Sequence, residues 1–481
     1  MALALIANLG CALAVLTPAS AQVSSPPPAR YNVLFVVVDD LRPELGAYGK
    51  AYMHTPHIDS LAARGMVFER AYAQAPICSP SRMSFLTGMR VSGTDIRRNN
   101  YPLRARHPDI VTLPQRFRDS GYRATAHGKV FHGTIGDSLS WDRYDDSPHN
   151  RAVYQLAKNR AVDDKHDGEE GVRGRPYEGP DVPDSVLSDG LIAKRSIADL
   201  HAFPPDAPFF QAFGPLKPHL PFIAPRRYWD LYPAHATSMY ARVRATPAGA
   251  PPYAMHDNGE TRNYYGVPAE GPFDAVLEDS LARGYAAAVS YADAQVGRVL
   301  AALEATGRAD STIVVLFGDH GYRLGDLDHW GKNALYELDL RVPLVIVHPD
   351  LPPGRSEAIV ELVDLYPTLL EMTGLAPPTH QLDGESLLEV WGQAAPGDGL
   401  ALAEYSKGDL IGVSVRDARY RLTEWRRGDD LGEVVDLELY DYEADGGIER
   451  LNRAGEPDYA EVEMRLREAV ADYVAEAAAN R

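Results

Sequence analysis

The chain reads as an α/β protein: a large, mixed but mostly parallel sheet flanked by helices, then a smaller antiparallel sheet with a closing helix. Three observations point there. Two continuous apolar runs, in "YNVLFVVVDD" (Tyr31–Asp40) and "STIVVLFGDHG" (Ser311–Gly321), have the β-branched, unbroken character of strands buried on both faces. Helix-period segments lie between such runs. Beyond residue 395 the pattern changes to short alternating stretches.

Taken in order, Tyr31–Asp40 is a strand that ends in two acids. "TPHIDSLAARG" (Thr55–Gly65) and "TLPQRFRDSG" (Thr112–Gly121) read as helices closed by glycine. "APFFQAFGP" (Ala207–Pro215) reads as a core strand. "SLARGYAAAVSYADAQVGRVLAALEATG" (Ser280–Gly307) sets Leu281, Tyr285, Val289, Ala292, Val296, Val299 and Leu303 on one helical face. Ser311–Gly321 repeats the strand-then-acid design. "VPLVIVHP" (Val342–Pro349) is another core strand and "VDLYPTLLEMTG" (Val363–Gly374) another helix. "GLAPPTHQLDGESL" and "GQAAPGDG" read as linker. "IGVSVRDARYRLTEW" and "LELYDYEADGGIERLN" alternate like antiparallel strands, and "YAEVEMRLREAVADYVAEAAA" closes the chain as a helix. Two long stretches, Asp145–Pro183 and Ala234–Pro272, carry little regular pattern, as binding loops or plain solvated loops do. The expected organisation is a leader over residues 1–21, a catalytic domain over 30–395 and a C-terminal subdomain over 396–481.

Composition narrows the partners. The 481 residues are 45% hydrophobic and 24% charged, ordinary globular values. The net charge of -19 argues against a duplex nucleic-acid surface or an anionic membrane. It also repels anionic substrates at long range, so any anion site must be built locally. The first 21 residues are apolar and end in Ala19-Ser20-Ala21, the pattern of a cleavable secretory signal, although no basic residue precedes the run. The run is short for a span, and Asn8 spoils a lipid-attachment motif at Cys11. The expectation is a periplasmic or secreted protein with no membrane attachment after cleavage. Cleavage would leave Cys78 as the only thiol: either a buried small hydrophobe or a reactive group.

In an open α/β sheet, ligands bind beyond the carboxyl ends of the strands. Two strands therefore bring Asp39, Asp40, Asp319 and His320 to such an edge. Either pair alone would read as strand-end capping; two pairs on two strands suggest a hard-cation site.

Cys78 sits in Cys78-Ser79-Pro80-Ser81-Arg82, followed by Leu86-Thr87-Gly88. With this C-x-P-x-R stretch after a strand ending in two aspartates, the sequence resembles the sulfatases of the alkaline-phosphatase-like superfamily. Further motifs follow in the matching order: "HGKVFHG" (His127–Gly133), "LKPHLPF" (Leu216–Phe222) and "GDHGYRLGDLDHWGKNALYE" (Gly318–Glu337). These, with "SYADAQVGRVL" and "ELVDLYPTLL", are most similar to the iduronate-2-sulfatase subgroup. The similarity runs from about Asn32 into the C-terminal sheet and is weakest in the two long loops.

The resemblance implies an alkaline-phosphatase-like fold and sulfatase activity on a sulfated carbohydrate. It implies that a formylglycine-generating or anaerobic maturation enzyme oxidises Cys78 to formylglycine. It implies one Ca²⁺ held by Asp39, Asp40, Asp319, His320 and the modified Cys78. Most sulfatases resemble one another in carrying Asn where this chain has His320; the iduronate type carries His. Arg82 would hold the aldehyde hydrate, and Lys129 and Lys332 the sulfate oxygens. His132 would take a proton from the hydrate, and His219 would bind sulfate and protonate the leaving oxygen. His107, His127 and His329 are left as packing or surface residues.

The chemistry makes sense of this set. A sulfate ester is a poor electrophile wrapped in anionic oxygens, so attack needs a hard cation and clustered N–H donors. A hydrated aldehyde offers two hydroxyls on one carbon: one attacks sulfur, and the other lets sulfate depart. A serine or thiol would be left as a stable ester. Three functions stay open: a sulfatase acting on 2-O-sulfated uronate, a phosphonate or phosphate diester hydrolase on the same scaffold, and a non-catalytic sulfated-glycan binder if Cys78 remains a thiol.

Overall fold

A computed structural model describes residues 31–133, 136–145, 154–166, 174–240, 242–255 and 259–479. The expected leader, residues 1–21, lies outside the described residues, as do parts of both irregular stretches. Among the described residues no helix is long and apolar enough to cross a membrane.

The large sheet has eight strands. They are β1 (Asn32–Val38), β2 (Met66–Tyr72), β3 (Arg123–Gly128), β4 (Arg143–Asp145), β5 (Phe209–Gly214), β6 (Thr312–Gly318), β7 (Arg341–Val347) and β8 (Gly354–Glu361). The spatial order is β8-β2-β7-β6-β1-β5-β3-β4. Only β7 runs antiparallel to its neighbours. Its apolar run has the same composition as the parallel strands, so sequence alone does not reveal its direction.

β1 shows how the sheet is held. Leu34, Val36 and Val38 pack into one core layer and Val33, Phe35 and Val37 into the other, all at most 1% exposed. Each such side chain contributes on the order of 1.5–3 kcal/mol on burial. The helix Ala275–Ala305 covers the first layer. It starts five residues before the expected Ser280, because Asp274 caps it by accepting from the Leu277 N–H at 2.8 Å. Asp293 on this helix also caps the N-terminus of the helix Pro56–Ala62, accepting from the Ile58 N–H at 2.7 Å and the His57 N–H at 3.3 Å.

The stretch expected to be linker is instead a strap. Asp383 N–H donates to Gly88 O at 2.8 Å, and Asp383 Oδ2 accepts from the Arg90 N–H at 2.7 Å. Leu387 is 1% exposed. Its polar composition suggested a free connection, but its backbone finds partners on the main body.

The C-terminal sheet is β9 (Ala401–Lys407), β10 (Leu410–Arg416), β11 (Tyr420–Arg427) and β12 (Glu433–Asp441), antiparallel and in chain order. Leu466, Val470, Tyr473 and Ala477 of the helix Ala460–Ala479 face it at helical spacing. The Tyr473 hydroxyl accepts from the Ser92 N–H at 3.2 Å and donates to Glu404 at 3.1 Å, tying helix, small sheet and main body together.

Candidate active site

The site forms where β1, β3, β5 and β6 end. β1 and β6 are parallel neighbours with Val38 opposite Gly318, so Asp39 and Asp319 leave the sheet side by side. Asp40 turns into the left-handed region at φ +59°, which Asp tolerates better than most residues. Two hydrogen bonds hold it there: Asp40 N–H to Asp319 Oδ1 at 3.0 Å, and Tyr285 hydroxyl to Asp40 O at 2.9 Å.

Lys129 follows β3. Gly128 has φ +87°, and a Cβ on it would stand 2.1 Å from Gly214 O. Only glycine lets the ends of β3 and β5 approach this closely. The Lys129 N–H then donates to Gly214 O at 2.8 Å.

Cys78 is the first residue of the helix Cys78–Thr87, all ten residues of which are buried. Arg82 lies one turn on, 0% exposed, and reaches back under the strand ends. It meets Asp39 Oδ1 at 2.9 Å and Asp319 Oδ2 at 3.0 Å, and it donates to the carbonyls of Lys129 and Val130. Its proximity to two carboxylates is the arrangement a buried guanidinium needs.

Around the thiol, Cys78 Sγ lies 3.4 Å from Lys129 Nζ, 3.7 Å from Lys332 Nζ and 3.3 Å from His320 Nε2. Lys129 Nζ also pairs with Asp39 Oδ2 at 2.5 Å, and Lys332 Nζ with Asp40 Oδ1 at 2.6 Å. Lys332 is delivered by a small ribbon in which Arg323–Leu324 pairs with Trp330–Gly331. Burial alone would raise the Cys78 pKa, but the Lys129 and Lys332 ammoniums outweigh it and lower the pKa. Burial likewise works against ionising Asp39. Lys129, His219, Arg82 and Lys332 overcome it and hold Asp39 well below the usual carboxylate range.

His219 sits in a braced loop. Leu216 and Lys217 N–H donate to Asp189 at 3.0 and 2.9 Å, and Lys217 Nζ donates to the carbonyls of His219 and Pro221 at 2.6 and 2.8 Å. The Lys217–Pro218 and Leu220–Pro221 peptides are cis. His219 Nδ1 is engaged by Leu220 O at 2.5 Å, which turns Nε2 toward the site, 3.9 Å from Asp40 Oδ2. Burial, against the pull of Asp40, lowers its pKa to about 4. His132 is lowered to about 3 by burial and by Lys129, and its Nδ1 is buried without a hydrogen-bond partner.

The residues can hold a metal ion: the three aspartates are hard oxygen donors, while the Cys78 sulfur and the histidine nitrogens are softer. Ligand atoms of Asp39, Cys78, Asp319 and His320 lie within 4.8 Å of one another, and so do those of Asp40, Cys78 and His219. Asp40 Oδ2 is buried with no hydrogen-bond partner, a lone pair left for an ion. Burial lowers the His320 pKa, but the Asp319 and Cys78 charges override it and raise it to about 9. The surroundings favour positive charge at that point, whether proton or metal.

All the residues singled out from the sequence therefore converge on one place. His107, His127 and His329 stay outside it: His107 bonds Thr94 O, His127 bonds Asp199, and His329 bonds Leu327 O. Three residues were missed. Asp189 and Lys217 brace His219, and Lys217 was in plain sight beside Pro218. Glu260 places Oε1 3.2 Å from His219 Nε2 and Oε2 3.4 Å from Lys332 Nζ. It lies in an irregular stretch with no periodicity to mark it.

Comparison with known proteins agrees. Residues 31–375 match the family model described as Sulfatase, and residues 325–476 match that described as N-sulphoglucosamine sulphohydrolase, C-terminal. Iduronate 2-sulfatase of Homo sapiens is 34% identical over 390 residues, covering 72% of this chain and 70% of the relative. A sulfatase of Formosa agariphila is 32% identical over 362 residues, covering 72% and 69%. The phosphonate monoester hydrolase of Agrobacterium radiobacter superposes with a TM-score of 0.75 at 23% identity, over 93% of this chain and 96% of that one, a likeness of fold. With the family match spanning the whole large sheet and its strand-end cluster, this chain belongs to the sulfatase family and is a sulfuric ester hydrolase.

Proposed function

We propose that the enzyme removes sulfate from 2-O-sulfated uronate in a carbohydrate, using a formylglycine made from Cys78 and one Ca²⁺. The observation that carries the reading is the convergence of Lys129, Lys332 and His320 on the Cys78 sulfur beside three buried aspartates. The uronate assignment leans on likeness to the human iduronate 2-sulfatase and on His320, the iduronate-type residue at that position.

Asp39, Asp40, Asp319 and His320 would hold the cation, which supplies Lewis acidity for the sulfate oxygens and for the nucleophile. The aldehyde, when hydrated, supplies one oxygen for attack and a second to release sulfate. Lys129 and Lys332 bind and orient sulfate oxygens. Arg82 fixes Asp39 and Asp319 and the helix that carries residue 78. His219 Nε2 donates a proton to the departing sugar oxygen, and His132 accepts one from residue 78 as the product leaves. A maturation enzyme, export to the periplasm or beyond, and the 30–395 and 396–481 division belong to the same proposal.

The test is mass spectrometry of the Ala75–Arg82 peptide from active enzyme, alongside turnover of sulfated disaccharides. The expected result is an aldehyde at position 78 and release of inorganic sulfate from the uronate 2-position. Full activity with only the free thiol overturns the nucleophile. A preference for phosphonate or phosphate diesters overturns the substrate.

A further inference from the structure

Glu260 is an acid in a place built to attract an anion. Its Oε1 is 3.2 Å from His219 Nε2 and its Oε2 is 3.4 Å from Lys332 Nζ. Its side chain is 19% exposed, so it borders the open side of the site. The turn Gly259–Arg262 that carries it is anchored by its neighbour: the buried Thr261 hydroxyl donates to Trp330 O at 3.1 Å, on the ribbon that delivers Lys332. Glu260 and Lys332 are thus held at a set distance from each other.

Both neighbours have partners besides Glu260. Lys332 already pairs with Asp40 at 2.6 Å, and the His219 ring is oriented through Nδ1 and Leu220 O. Toward the sulfate itself a carboxylate here is repulsive. What a carboxylate does well at the edge of a carbohydrate site is accept a hydrogen bond from a hydroxyl.

We infer that Glu260 accepts a hydrogen bond from the free hydroxyl on the carbon next to the one bearing the sulfate ester, and so selects and orients the sugar ring. The inference rests on the sulfated-uronate reading given above. His219 Nε2 is the atom that would meet the ester oxygen. Glu260 Oε1 lies one hydrogen-bond length from that nitrogen, in reach of a group one carbon away from the ester. In a glycosidically linked uronate 2-sulfate, C1 has no free hydroxyl, so the 3-hydroxyl is the one selected. A second sulfate at that position would meet the carboxylate and be rejected.

A hydrogen bond to a charged group is worth about 1.5–3 kcal/mol, or about 10- to 150-fold in kcat/KM. The experiment is a cycle of two enzymes and two substrates: wild type and Glu260→Ala, on methyl 2-O-sulfo-iduronoside and its 3-deoxy counterpart. Wild type should lose about 10- to 150-fold on deoxygenation. Glu260→Ala should discriminate between the two by no more than about twofold. Glu260→Gln, which keeps a neutral acceptor, should fall between them and guard against a general collapse of the site. Equal deoxygenation penalties in wild type and Glu260→Ala overturn the inference, as does a wild type indifferent to deoxygenation. If wild type hydrolyses other sulfate esters but neither sugar, the uronate reading falls, and that failure shows without any variant.

Discussion

Replacing His219 by alanine separates two roles for that residue, and the structure sets the size of the effect. Its Nδ1 is engaged by Leu220 O, so Nε2 is the nitrogen available to a leaving oxygen. A well-placed general acid supplies about 10²–10⁴ in rate. It can do so only while protonated, and burial lowers the His219 pKa to about 4. The protonated share of free enzyme is then about one-tenth at pH 5 and about one-hundredth at pH 6. Because kcat/KM reports the free enzyme, the advantage of wild type over His219→Ala on a sugar sulfate should be largest near pH 4. Above that pH it should shrink by about tenfold per unit. An aryl sulfate, whose phenolate departs without a proton, should show a far smaller ratio that does not vary with pH. The assay is kcat/KM for both enzymes on a sulfated sugar and on nitrophenyl sulfate from pH 4 to 7. Equal losses on the two substrates would refute the acid role and leave His219 as a sulfate ligand, with Lys332 the next candidate. A sugar-sulfate ratio that stays flat with pH would refute the protonation argument.

Other consequences are as direct. His132, lowered to about 3, is a neutral base at all working pH values. His132→Ala should cut kcat by about 10²–10⁴ on sugar and aryl sulfates alike, read by steady-state kinetics. Chelator-treated wild type should regain activity with Ca²⁺, whereas Asp319→Asn should stay at least about 100-fold down with an unchanged circular dichroism spectrum. Arg82→Met leaves the buried Asp319 without its guanidinium partner, and Asp39 with Lys129 alone, and should cost about 3–5 kcal/mol, seen as a lower denaturant midpoint. Burial raises Asp293 from its usual value to about 7, so the stability from its protonated form is present at low pH and lost as pH rises through about 7. Asp293→Asn should therefore lose less Tm between pH 5 and 8 than wild type does.

The strand-end cluster of acids was legible because strand physics and chemistry coincide. An unbroken apolar run must be a buried strand, and acids at its end must sit at the sheet edge, so Asp39, Asp40, Asp319 and His320 could be read in one dimension. Cys78 and Arg82 are four residues apart on one helix, also a local relation. Glu260 is different. Its meaning depends on a turn held to a distant ribbon by Thr261 and Trp330, and no local rule links those positions. The direction of β7 was hidden for a related reason: burial on both faces selects apolar residues whichever way the strand runs. The strap over residues 374–387 looked like linker because its contacts, such as Asp383 with Gly88 and Arg90, are hydrogen bonds from polar groups that leave no apolar periodicity in the sequence.

The burial of residue 78 also bears on when the proposed maturation would occur. Cys78 is 1% exposed, at the start of a helix with no exposed residue. An enzyme that oxidised this thiol, as proposed, would have to reach a side chain that the folded molecule covers. On the proposed function, the conversion therefore has to precede folding of the helix that carries residue 78. Under the same proposal, a molecule that folds first keeps its thiol. The specific activity of a preparation, on that proposal, depends on the order of the two events, and slower synthesis or more of the proposed maturation enzyme should raise it without altering a single contact.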